Sequence, residues 1–133
     1  MVKSGATDVS ADAFLRQIRD FKVIPESSLN KALTSAAPGA SAKALATHLL
    51  HSGLLTRFQG ARLLQGQGPS LRLGQYLLIE ELGRGGMGRV FRAEHSAMGR
   101  IVALKILSAD LVNSPRAKEF FLREVREIGR AHV

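Results

Sequence analysis

The hydrophobic period of this 133-residue chain changes at one place, the stretch Gln65-Gly66-Gln67-Gly68-Pro69-Ser70. Before it, apolar residues recur at helical spacing; after it, they gather in short runs rich in β-formers. The expected class is therefore α+β, with a small helical bundle over residues 1–64, a flexible linker over 65–73 and a strand-bearing module over 74–133. Each module sits near the length at which burial only just offsets chain entropy. The composition, 45% apolar and 23% charged with a mean hydropathy of +0.03, is that of a globular chain.

Four short amphipathic helices are expected in the first module. Ser10 is a candidate cap for a helix carrying Phe14, Leu15, Ile18 and Phe21. Pro25 can open a second, with Leu29 and Leu33, that ends near Ala37-Pro38-Gly39. Ser41 can cap a third, with Leu45 and Leu49-Leu50 on one face and Gly53 as its stop. Thr56 precedes a fourth, bearing Phe58, Ala61 and Leu64 and stopped by Gly66. In the second module Tyr76 to Glu81 is an apolar run that enters the cluster Gly83-Arg84-Gly85-Gly86-Met87-Gly88. A strand over 89–94, a turn at 95–99 and a strand over 100–107 complete a meander. Asn113-Ser114-Pro115 then opens a helix with Phe121, Val125 and Ile128 on one stripe.

Three features of the second module line up chemically. Gly83-x-Gly85-x-x-Gly88-x-Val90 lies between two strands, where bare backbone can approach a phosphate and present N–H groups to it. A dinucleotide-binding turn would need a helix after the glycines, and here a strand follows. The phosphate loop Gly-x-x-x-x-Gly-Lys-Ser/Thr does not occur. Val102-Ala103-Leu104-Lys105 places a small residue and a cation on one strand face, which suits a flat base against Ala103 and phosphates at Lys105. Glu124, flanked by Phe121 and Ile128, falls on the inward stripe of its helix, where a carboxylate needs a charge partner; Lys105 is the obvious one.

In this order the three features resemble the N-terminal lobe of a protein kinase, of the bacterial serine/threonine type that is similar to eukaryotic kinases. Leu104 stands where that family usually has isoleucine. The resemblance implies ATP as cofactor, gripped by Leu82, Gly83, Arg84, Gly85, Gly86, Met87, Gly88, Arg89, Val90, Ala103 and Lys105, with Leu82, Val90 and Ala103 on the adenine and Glu124 orienting the lysine. Residues 74–133 are then a partial kinase domain, from the glycine hairpin through the glutamate-bearing helix. The 133 residues hold neither H-R-D-x-x-x-x-N nor D-F-G, and the four Asp, at 8, 12, 20 and 110, have no such context. No general base or metal aspartate is therefore expected here. The chain reads as a truncated frame or fragment that does not phosphorylate by itself, and Mg2+ is expected only in a complete kinase. The protein substrate likewise belongs to the complete enzyme, while the helical module is a docking or regulatory segment for a protein partner. The competing reading is a non-catalytic protein- or nucleic-acid-binding module with a vestigial kinase lobe.

The excess of 19 basic over 11 acidic residues invites a polyanion, but it is spread evenly, +4 over residues 1–70 and +4 over the remainder. With no basic run longer than two residues and no Trp, specific nucleic-acid binding is not expected. The absence of Cys excludes disulfides and thiolate metal sites. His48 and His51, three apart on a helix without a third ligand, read as a solvated face rather than a metal site. No aliphatic run approaches the roughly 20 residues of a membrane span, and no secretory leader is evident, so cytoplasm is the expected compartment.

Overall fold

The computed structural model describes residues 8–107, which fall into two compact units divided between Arg72 and Leu73. The helix expected after Asn113, with Glu124, lies outside the described residues.

The first unit contains α1 (Ala11–Asp20), α2 (Glu26–Leu33), α3 (Ala42–His51) and α4 (Arg57–Leu64). Three of the four starts follow side-chain capping, while α2 begins after Pro25 without a side-chain cap bond. Ser10 Oγ accepts from the N–H of Ala13, and Ser41 Oγ from that of Ala44, both at 3.1 Å. At Thr56 the cap is reciprocal: Thr56 Oγ1 accepts from Gln59 N–H while Gln59 Oε1 accepts from Thr56 N–H, again at 3.1 Å. Gln59 is the one buried polar residue among those described, and the reciprocal cap gives its Oε1 a partner.

Three helices end in the same way, with a left-handed residue that lets the following N–H groups turn back onto the last carbonyls. Gly53 and Gly66 supply it after α3 and α4. After α1 it is Lys22, with φ 51°, a conformation that disfavours any side chain. Val23 N–H reaches Ile18 O at 3.0 Å, and Arg72 donates to the carbonyls of Phe21 and Lys22 at 3.0–3.1 Å. A guanidinium at a helix C-terminus is also favoured by the dipole. The second helix is shorter than its sequence pattern implies. It ends at Leu33, where the N–H groups of Thr34, Ser35 and Ala36 turn back onto the Lys31, Ala32 and Leu33 carbonyls at 3.2–3.3 Å. The Thr34 and Ser35 hydroxyls add bonds to the first two carbonyls at 2.7 and 3.1 Å.

Phe14, Ile18, Leu29, Leu49, Leu63 and Leu71 are fully buried in this unit. Two sequence expectations change here. His48 is half-buried, not solvated: its Nε2 lies 2.8 Å from Ala32 O and 3.3 Å from Ser35 Oγ, tying α3 to the end of α2. The stretch 65–70, expected to be flexible, is pinned. Gly68–Leu71 form a 3-10 turn, and Gly68 N–H donates to Gln17 Oε1 at 2.7 Å. Gln17 Nε2 in turn donates to Leu63 O at 2.9 Å. The anchor is Leu71, one residue past the polar run.

The second unit is built on a meander. The four strands β1 (Arg72–Leu73), β2 (Tyr76–Gly85), β3 (Gly88–His95) and β4 (Arg100–Leu107) form one sheet in chain order, with β2–β3 and β3–β4 antiparallel. Leu78, Phe91, Ala93, Val102 and Leu104 are buried, and the register sets Phe91 opposite Leu104 and Ala93 opposite Val102 and Leu78. At the open end of the β2–β3 hairpin Tyr76 and His95 meet edge to face, 5.0 Å between centroids. The fold class is α+β, as expected. Among the described residues no helix is long and apolar enough to cross a membrane.

Replacing Gln17 by Ala should strand the Gly68 N–H in a buried position and cost about 1–3 kcal/mol, the penalty of an unpaired buried donor. A urea titration followed by far-UV circular dichroism checks it; an unchanged midpoint would mean that the turn is held by Leu71 alone.

Candidate nucleotide cradle

Strand alternation together with register assembles the sequence-chosen residues. Val90 lies directly opposite Lys105, and Ala103, two residues back on β4, shares the face of Lys105. All three are half-buried, whereas Val102 and Leu104 point to the other, buried face. One step along, Arg92 is opposite Ala103 and forms an ion pair with Glu80 at 2.8 Å.

The glycine cluster is less of a loop than its composition implies. β2 runs through Gly83 and Gly85, and Gly85 pairs with Gly88, leaving only Gly86 and Met87 in the turn. The glycines also fall into two kinds. Gly88 has φ +142°, and a Cβ there would run into the Ile106 carbonyl oxygen and lie 3.0 Å from Leu107 Cα; the fold itself demands glycine. At Gly83, Gly85 and Gly86 a Cβ would meet nothing within 4 Å, and none has a left-handed backbone. Nothing in the folding of the hairpin requires glycine at these three positions.

Two register shifts interrupt β2, between Leu78 and Glu80 and between Glu81 and Gly83, so Ile79 and Leu82 are the extra residues. Leu82, a residue chosen for the adenine contact, is 50% exposed at the second bulge. Met87 is exposed at the turn. Arg84 and Arg89 are opposite each other, and Arg89 lies over the Phe91 ring at 4.9 Å. Both guanidiniums are bound to Glu81, so any approach of these two residues to a ligand on the Lys105 face would be through their backbone.

Glu81 is not among the site residues read from the sequence. Strict alternation puts residues 81 and 84 on opposite faces, and only the bulge at Leu82 brings them to one face. The two arginines hold the Glu81 carboxyl at about 2, well below its ordinary 4.5, through their hydrogen bonds, Arg89 first and Arg84 second. Among the described residues no group of His, Asp and Glu is disposed to hold a metal ion.

No family model matches the chain. Sequence comparison does find relatives. The chain is 39% identical over 70 residues to the serine/threonine-protein kinase Pkn1 of Myxococcus xanthus, covering 51% of this chain and 10% of the relative. It is 44% identical over 61 residues to the DNA damage-responsive serine/threonine-protein kinase RqkA of Deinococcus radiodurans, covering 46% and 9%. For the serine/threonine-protein kinase PknE of Mycobacterium tuberculosis the identity is 44% over 59 residues, covering 44% and 10%. About half of this chain resembles bacterial serine/threonine kinases. The chain spans about a tenth of the length of these relatives. Its antiparallel sheet with a glycine hairpin fits a partial kinase N-terminal lobe.

Two measurements test this geometry. Gly88→Ala should lower stability by at least about 2 kcal/mol, through a disfavoured backbone and a collision with β4. Gly85→Ala should stay within about 0.5 kcal/mol of the parent, since its Cβ meets open space. Thermal melting of the two variants separates them. In a carbon-detected NMR titration the Glu81 carboxyl should titrate near 2 rather than 4.5. Its folded value is depressed, so its stabilising contribution should be complete above about 4.5 and disappear as pH falls through about 2. Substituting either arginine should move the midpoint back toward 4.5.

Proposed function

We propose that residues 74–133 are the ATP-binding N-terminal portion of a serine/threonine protein kinase, which transfers the γ-phosphate of ATP to Ser or Thr of a protein substrate. The observation that carries this reading is the register of Val90 against Lys105, with Ala103 on the same face, beneath a hairpin with three glycines its own fold does not require. Bare α-carbons at Gly83, Gly85 and Gly86 leave the space that a triphosphate needs, and backbone N–H groups there can donate to its oxygens. Lys105 supplies the charge for the α- and β-phosphates, and Val90, Ala103 and Leu82 offer apolar surface to the adenine. Glu124 is assigned the orienting of Lys105 by resemblance.

The described residues suit the nucleotide and not its metal. Glu80 is engaged by Arg92 and Glu81 by two arginines, and among the described residues no other carboxylate belongs to the two strands near the hairpin turn. Since the 133 residues hold neither H-R-D-x-x-x-x-N nor D-F-G, phosphotransfer on this reading needs a base and metal ligands that these motifs would supply. The helical unit is assigned to docking or regulation through a protein partner, and a cytoplasmic setting accords with the kinase reading.

Calorimetry on the 133-residue chain should give ATP binding no tighter than millimolar, on the order of 4 kcal/mol, with little response to magnesium. Micromolar, magnesium-dependent binding would overturn the partial-site reading. In a protein that also carries the rest of a kinase domain, Lys105→Met should abolish phosphotransfer and Glu124→Gln should impair it strongly. The double variant should lose no more than Lys105→Met alone, because the glutamate acts through the lysine. Full activity in Lys105→Met would remove the central residue of the assignment.

A further inference from the structure

The group at the base of the hairpin, Glu81 with Arg84 and Arg89, is not explained by the nucleotide reading. Glu81 accepts a two-pronged pair of hydrogen bonds from each guanidinium. Arg84 Nε and Nη2 donate to Oε2 and Oε1 at 2.9 Å each. Arg89 Nε and Nη2 donate to the same two oxygens at 3.0 and 2.9 Å. Each guanidinium thus reaches both carboxylate oxygens, the two-pronged, charge-assisted contact by which arginine binds carboxylates strongly. The carboxylate is 20% exposed, against 68% for Arg84 and 36% for Arg89, so the glutamate sits beneath its two partners.

The placement of the three along the chain gives the cluster its leverage. Glu81 precedes the first glycine, Arg84 separates the first from the second, and Arg89 follows the last. Arg84 and Arg89 are register partners, and two like charges directly opposite each other would push the strands apart. A single carboxylate between them turns that repulsion into a cross-strand tie. The tie exists only because the bulge at Leu82 brings Glu81 onto their face.

We propose that Glu81 is a positioning residue: by clamping Arg84 and Arg89 across the hairpin it orders residues 83–88 and holds both guanidiniums on the Phe91 face, away from Val90, Ala103 and Lys105. A bound phosphate would then be met by backbone N–H groups and Lys105, with the two loop arginines withheld from it. That last consequence rests on the nucleotide reading above; the ordering of the hairpin does not.

The test uses the 133-residue chain without nucleotide. Glu81→Gln keeps the side-chain shape and removes the charge. Amide hydrogen exchange at 83–88 should become roughly three- to fivefold faster, as expected for losing a partly exposed ion-pair cluster. Exchange at Ala93 and Val102 should be unchanged. The Nε–H resonances of Arg84 and Arg89 should be protected from exchange in the parent and should both lose that protection in the variant, a signature that a change in packing alone would not produce. If Glu81→Gln does not fold, Arg84→Gln at the exposed edge removes one prong pair and should speed the same amides by a smaller factor. Unchanged exchange at 83–88 in the folded variants overturns the proposal. An ATP titration keeps the two readings apart. Faster hairpin exchange with no ATP binding to the parent, even at nucleotide concentrations well above the millimolar range, sustains the clamp and sinks the nucleotide reading. ATP binding that Lys105→Met abolishes, with hairpin exchange indifferent to Glu81→Gln, does the reverse.

Discussion

The pairing of β3 with β4 depends on a contact that admits no side chain. Ile106 presents its carbonyl oxygen against the α-carbon of Gly88, at the point where β3 begins. From there the ladder sets Val90 against Lys105, Phe91 against Leu104 and Ala93 against Val102. A slip of one residue would turn Phe91 and Leu104 to the opposite face and remove Lys105 from its place opposite Val90. The buried layer and the candidate nucleotide face are thus two readings of the same register.

Much of this was legible because it rests on local chemistry. Ser10, Ser41 and Thr56 announce helix starts through oxygens that satisfy the first free N–H groups. Gly53 and Gly66 announce ends because only they adopt the left-handed turn cheaply. Alternation alone was enough to put Ala103 and Lys105 together. What stayed hidden depends on distant partners. Lys22 ends α1 against its own preference, with help from a guanidinium fifty residues away at Arg72. His48 reads as solvated until the Ala32 carbonyl is seen beside it. Glu81 and Arg84 look like residues on opposite faces until a bulge changes the phase between them.

The glycines make the same distinction within one motif. At Gly88 the side chain is missing because neighbouring backbone has taken its place. At Gly83, Gly85 and Gly86 that space stands open. A glycine count treats the four alike, and only the surroundings separate a requirement of folding from room kept for something else.

The turn at Gly68–Leu71 bears on where the chain can be cut. The richest Gly and Gln stretch would ordinarily mark the place to separate two modules, and a protease would be expected to find it first. Here Leu71 fills the helical core, Gly68 is bonded to Gln17, and Arg72 closes the end of α1. A fragment ending at Leu64 would lose all three and expose an unfilled apolar site. As a compact unit the helical module extends through Arg72, and its seam lies in the two-residue strand that opens the sheet.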